Sequence, residues 1–230
     1  MKTLATILIA VLTIPIGYGQ SDCEPYLPAD VGTQWEMSNY NAKGKLQGTI
    51  QYELIDKSEQ DGELVFTVST KSFDKKGKEQ FSSEFKAKCI DGNFEFDMAM
   101  KMDGAMMQQY QEMDFEVDAS SYEIPDLDAA VGTELPDGSM RITIGDGPVG
   151  INMTVDITER KVAAREQLTT PAGQFDCLVL EQAVTSKVLI NVKGRSKEWY
   201  SPNIGVVRTE SYNKKGKLLG YSELTKLSGN

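Results

Sequence analysis

The chain has 230 residues, 24 Lys and Arg against 34 Asp and Glu, three cysteines and no histidine. A formal charge of -10 repels phosphate backbones and anionic lipid, which argues against nucleic-acid binding and against electrostatic attachment to a membrane. The missing histidine removes the commonest general base, the commonest zinc and copper ligand and every Ser-His or Cys-His nucleophile pair. Carboxylates alone can run glycoside hydrolysis, but none here sits in an aromatic sugar-binding context. The expectation is a protein that is not an enzyme and carries no cofactor and no metal.

At the start of the chain Lys2 precedes an apolar run from Leu4 to Ile16, broken by Pro15 and followed by Gly17 and Gly19. That is the pattern of a secretory signal peptide over residues 1–19, with Gln20 as the first mature residue. The run is shorter than the ~20 apolar residues needed to span a bilayer. Cys23 follows Gln20-Ser21-Asp22 rather than small residues, so lipidation is not expected. Residues 20–230 are read as a single β domain, since all-β domains of this size commonly stay one unit. With no later apolar stretch long enough to cross a membrane, the product is expected to be exported and soluble, periplasmic or extracellular.

From Thr33 onward the dominant period is two, as in Gly62 to Thr70, Gly150 to Thr158 and Gly205 to Tyr212. These segments are rich in β-branched and aromatic residues and bounded by turn formers. Three turns share one pattern: Tyr40-Asn41-Ala42-Lys43-Gly44-Lys45, Phe73-Asp74-Lys75-Lys76-Gly77-Lys78 and Tyr212-Asn213-Lys214-Lys215-Gly216-Lys217. Asn or Asp bonds its own backbone two residues on and Gly accepts positive φ, so each copy suits a type I turn closed by a glycine bulge, the tip of a hairpin. The spacing predicts about eleven strands. Asp30-Val31-Gly32-Thr33 and Ala130-Val131-Gly132-Thr133 punctuate the two halves alike, which makes an internal duplication conceivable.

Among the cysteines, Cys177 alternates with Phe175 and Val179 and is read as core-facing, where a thiol behaves as a small apolar group. That leaves Cys23 and Cys89 as the disulfide pair. The exception to the alternation runs from Asp97 to Asp118 and holds six of the ten methionines, Met98, Met100, Met102, Met106, Met107 and Met113. A short helix is expected from about Gly104 to Glu112, with Met106, Met107, Tyr110 and Met113 on one side. Thioether sulfur can hold copper(I), but core packing or a greasy pocket is the preferred reading of Met98, Met100 and Met102.

Three stretches resemble the TapB-like family of exported bacterial proteins. They are Glu198-Trp199-Tyr200-Ser201-Pro202-Asn203-Ile204-Gly205-Val206-Val207-Arg208-Thr209-Glu210, Gly220-Tyr221-Ser222-Glu223-Leu224, and Arg160-Lys161-Val162 leading into Thr169-Thr170-Pro171-Ala172-Gly173-Gln174-Phe175-Asp176-Cys177. The Asp-Cys near the mature start, Tyr40 to Lys45 and Cys89-Ile90-Asp91-Gly92 carry the likeness more loosely. The resemblance implies a single antiparallel β domain, distantly similar to lipoprotein-carrier folds that wrap a curved sheet around lipid, and supplies no catalytic residue.

The expected fold is therefore all-β, a curved antiparallel sheet or half-open β-barrel with one short helix. The expected function is binding of a hydrophobic or lipid-like ligand in a cavity walled by Trp35, Met98, Met100, Met102, Met106, Met107, Tyr110, Met113 and Trp199. The alternative is a cell-envelope interaction module that docks a protein partner through hairpin tips or edge strands.

Overall fold

Asn41, Asp74 and Asn213 each accept the backbone N–H groups two and four residues on: Lys43 and Lys45 at 2.9 and 3.1 Å, Lys76 and Lys78 at 2.8 and 2.9 Å, Lys215 and Lys217 at 2.9 and 3.1 Å. The glycine of each motif closes the turn by donating to the carbonyl of that residue at 2.9 Å, and takes φ of 72°, 79° and 76° at Gly44, Gly77 and Gly216. All three Lys-Gly-Lys motifs are hairpin tips, as their chemistry predicts.

The strands that they join are seen in a computed structural model, which describes residues 23, 25–60, 62–90, 93–98, 115–144, 151–187 and 190–228. In chain order they are β1 (Gln34–Asn41), β2 (Leu46–Gln60), β3 (Glu63–Asp74), β4 (Glu79–Ile90), β5 (Asn93–Asp97), β6 (Phe115–Ala119), β7 (Ser121–Ile124), β8 (Gly138–Ile144), β9 (Ile151–Thr170), β10 (Gly173–Lys187), β11 (Asn191–Ser201), β12 (Gly205–Asn213) and β13 (Leu218–Ser228). They form a 13-stranded antiparallel sheet in the order β6-β8-β9-β10-β11-β12-β13-β1-β2-β3-β4-β5-β7. The count exceeds the expected eleven or so because β5, β6 and β7, of 5, 5 and 4 residues, are too short for alternation to register. Among the described residues there is no α-helix, only a 3-10 turn at Met98, and the expected helix from Gly104 to Glu112 lies outside them.

The sheet curls until its edges nearly meet. Strands β6 and β7 are two halves of one run broken at Ser120; the first pairs with β8 and the second with β5. Ser120 stitches the seam, donating to Ser139 O at 2.9 Å and accepting from Met98 N at 3.4 Å. The result is a nearly closed barrel. Closure of this kind hides the strand edges that an open sheet would expose.

The two Val-Gly-Thr punctuations build the same device. Gly32 N donates to Leu54 O at 2.7 Å and Leu54 N to Thr33 O at 3.1 Å; Gly132 N donates to Val162 O at 2.8 Å and Val162 N to Thr133 O at 2.9 Å. Each clasp leads into a strand, β1 or β8, that pairs with the long strand after it, β2 or β9. Glycine is needed at both, with φ of 91° and 95°. This repeated geometry supports a duplicated unit covering β1–β4 and β8–β11.

One end of the barrel is closed by the segment before β1. Cys23 and Cys89 are disulfide-bonded, with Cα atoms 5.8 Å apart. Tyr26 and Leu27 are buried; Tyr26 packs edge-on against Phe94 and Tyr200 and donates to Pro125 O at 2.7 Å. Asn203 N bonds Pro25 O at 2.8 Å, and a Cβ on Gly205 would meet Tyr26 O at 2.8 Å. The segment is thus fitted against the β11–β12 turn. Because the meander alternates, the three lysine-tipped hairpins all lie at the other end.

Candidate functional site: a cavity between a closed and an open end

Antiparallel pairing places one row of inward residues next to another, so register decides what lines the interior. A cavity of about 660 Å³ occupies the barrel, and its wall changes character along the axis. Near the closed end it is apolar, with Leu27, Trp35, Met37, Phe94, Phe96 and Ile124. One step toward the hairpin tips runs a continuous polar row: Glu198 opposes Thr209, Thr209 opposes Ser222, Ser222 opposes Asn39, and Asn39 opposes Gly48. All five line the cavity, and the wall continues to Gln47, Asp74, Gln80 and Ser211 at the roots of the tips. Gln47 and Ser211 are exposed, so the cavity opens at the lysine end. Among the described residues its wall contains no Lys or Arg, and its carboxylates are Asp74 and Glu198.

Behind the polar row lies a buried hydrogen-bonded chain. Tyr122 donates to Gln182 Oε1 at 2.5 Å, and Gln182 Nε2 donates to Ser196 Oγ at 2.8 Å and Glu198 Oε1 at 3.1 Å. Tyr200 donates to Glu198 Oε2 at 2.5 Å. Burial, then the Glu198 charge, push the Tyr200 phenol well above its ordinary range, so it remains a hydrogen-bond donor. Arg160, 2% exposed, lies 3.7 Å from the Tyr122 ring and donates to Pro136 O and Glu123 O, each at 2.6 Å. Partners like these are what make burial of charge tolerable. The arrangement fixes an acceptor-rich patch on the wall of an otherwise greasy chamber.

The residues expected to form a binding wall are distributed unevenly. Trp35 lines the cavity and stacks on Tyr52 with ring centroids 5.2 Å apart. Trp199 does not: strand alternation turns it away from Glu198 and Tyr200, and its indole donates to Glu166 Oε1 at 2.5 Å. Met98 is fully buried outside the cavity lining, beneath Gly138, where a Cβ would meet its sulfur at 2.5 Å. Met100, Met102, Met106, Met107, Tyr110 and Met113 lie outside the described residues. Cys177 is a free, buried thiol; burial, with Asp176 and Glu166 nearby, pushes it up to about 12. Gln182, Glu198 and Arg160 were not anticipated as a group. The signal for the first two was present, since they continue the inward parity of Leu178 and Leu180 on β10 and Tyr200 on β11.

The model of the family described as DUF3108-like matches residues 30–224. The chain belongs to the DUF3108-like family. No curated protein sequence matches it. Among solved structures, a protein predicted to be exported, with a YmcC-like fold, from Bacteroides fragilis NCTC 9343 superposes with TM-score 0.77 at 25% identity, covering 90% of this chain and 100% of that one. A predicted lipoprotein from Parabacteroides distasonis ATCC 8503 gives TM-score 0.77 at 26% identity, covering 90% and 99%. This DUF3108-like chain therefore shares its architecture with both along nearly their whole lengths.

Proposed function

We propose that this DUF3108-like protein is an exported, non-enzymatic carrier or receptor for an amphiphile. The apolar part of the ligand would lie against Trp35, Met37, Phe94 and Phe96, and its head would meet Asn39, Thr209, Ser222 and Glu198. The observation that carries this reading is the open-ended cavity of about 660 Å³ with a greasy base and a polar collar. Ligand sites have this character and this size, roughly 300–1,000 Å³. Among the described residues the wall has two carboxylates and no cation, which favours heads that donate hydrogen bonds over anionic ones. Export is supported by the leader-like pattern of residues 1–19, by the disulfide and by the descriptions of the two relatives. Within the family, the Trp199 to Arg208 and Pro171 to Cys177 motifs support the narrower TapB-like assignment.

The test is a fluorescence titration with N-phenyl-1-naphthylamine, followed by displacement with dodecanol. Saturable one-site uptake is expected, and Ser222→Trp, which narrows the collar, is expected to weaken it. Folded protein that takes up no probe would refute the reading.

A further inference from the structure

The overall charge of the chain is acidic, yet the topology sorts it. Eight lysines, Lys43, Lys45, Lys75, Lys76, Lys78, Lys214, Lys215 and Lys217, sit on the β1–β2, β3–β4 and β12–β13 tips, and all are exposed. Only Asp74 and Glu79 oppose them within these tips, and Asp74 is spent on its own turn. None of the eight ammonium groups enters an ion pair among the described residues. The open end of β10–β11, next in the sheet, adds Lys187 and Lys193, both exposed.

Large apolar side chains stand among these lysines. Ile190, Val192 and Leu219 are 74%, 60% and 55% exposed, and all three belong to the same end. The opposite end is mixed: Asp30, Glu59, Asp126, Asp128, Glu134 and Asp137 are exposed there beside the exposed Lys57, Lys161 and Arg165 and the apolar Val31 and Val131, so an unbroken group of exposed lysines marks the hairpin end alone. The tips are held side by side by close backbone packing. A Cβ on Gly48, Gly194 or Gly220 would meet the carbonyl oxygen of Phe73, Tyr212 or Tyr40 at 2.4, 2.5 or 2.7 Å, so the aromatic residue of each motif leans on a glycine of the next strand.

The geometry points to the lysine-tipped end as a docking surface for an anionic phospholipid membrane, with the cavity mouth turned toward the bilayer. Charge complementarity identifies the occupant: cationic side chains close to an anionic leaflet are attracted within a Debye length, and apolar tips among them enter the interface. A polyanion such as nucleic acid would use the lysines and leave Ile190, Val192 and Leu219 in water. The cavity mouth lies at the roots of the same hairpins, so a docked molecule would face the source of an amphiphile. That last step rests on the cavity reading; the docking does not.

Co-sedimentation with vesicles tests it, comparing phosphatidylglycerol and phosphatidylcholine in equal parts with phosphatidylcholine alone. The full chain is expected to pellet with the anionic vesicles, to bind the neutral ones about tenfold or more weakly, and to be released by high salt. The exposed-site variant K45Q/K78Q/K217Q is expected to lose about tenfold or more in affinity, and I190S/L219S about threefold, both with unchanged Tm. Equal binding to the two vesicles, no binding, or a lysine variant that binds like the wild type overturns the proposal. So does a duplex oligonucleotide that binds as tightly as the anionic vesicles while I190S/L219S is unimpaired. Dye uptake by the same samples separates the two readings: uptake without pelleting sinks the docking alone, and pelleting without uptake sinks the cavity alone.

Discussion

The two ends of this barrel are made from the same strands and do opposite things. At the closed end the Cys23–Cys89 bridge, the buried Tyr26 and the Arg160 guanidinium tie turns to one another. At the open end three nearly identical turns satisfy their own backbones and leave their lysines in water. Where polar groups are consumed by the protein, substitution should cost stability; where they are spent only on local turns, substitution should cost recognition. The lesson is that a repeated local motif gains a collective role only when topology gathers its copies.

The largest expected effect breaks the closed end. Arg160→Ala removes the donors to the Pro136 and Glu123 carbonyls and the cover of the Tyr122 ring and empties a buried site, which should lower the unfolding free energy by about 3 kcal/mol. Urea denaturation measures it, and a change under about 0.5 kcal/mol would remove Arg160 from the account. Next, C23S/C89S frees the plugging segment and a loop with a sequence separation of 66. A loss of roughly 2–4 kcal/mol is expected by calorimetry, whereas K45Q/K78Q/K217Q should stay within about 0.5 kcal/mol. If the lysine variant proved the less stable of the two, the contrast between the ends would fail.

The smallest effect sharpens the open end. The backbone N–H groups of Lys78 and Lys76 hold the Asp74 carboxyl below its ordinary value. Its folded value is depressed, so its contribution is present above the unfolded value of about 4 and is lost as pH falls through the folded one. Asn41 and Asn213 cap the sister turns without titrating. Asp74→Asn should therefore leave Tm unchanged at neutral pH and reduce its fall in acid, a difference read by thermal melts across the acid range.

The turns were legible in the sequence because their chemistry is local: an Asx side chain, a glycine and four residues suffice. The disulfide followed from parity and from the alternation around Cys177, and the all-β class from the period of two. The cavity collar was not legible, because alternation says which face a residue takes but not how deep it sits or which strand lies beside it. Glu198, Ser222 and Asn39 become neighbours only through the β11–β12–β13–β1 order. Trp199 lies outside the described cavity lining for a different reason, its parity being opposite to that of Tyr200, which alternation could have shown. The lysine-rich tips and a docking role for them were legible in the sequence, but their gathering at one end was not, because an acidic total of -10 averages over the chain and conceals a basic surface.

The most direct test of the difference between the ends is spin-label accessibility on anionic vesicles. Nitroxides are placed at Ala42→Cys, on the β1–β2 tip, and at Ala130→Cys, in the exposed closed-end turn; Cys177, buried and held protonated, should stay unlabelled. Vesicles are expected to shield the label at position 42 from a water-soluble nickel chelate and to leave the label at position 130 exposed. Equal shielding at both positions, or shielding at position 130 alone, would contradict that difference.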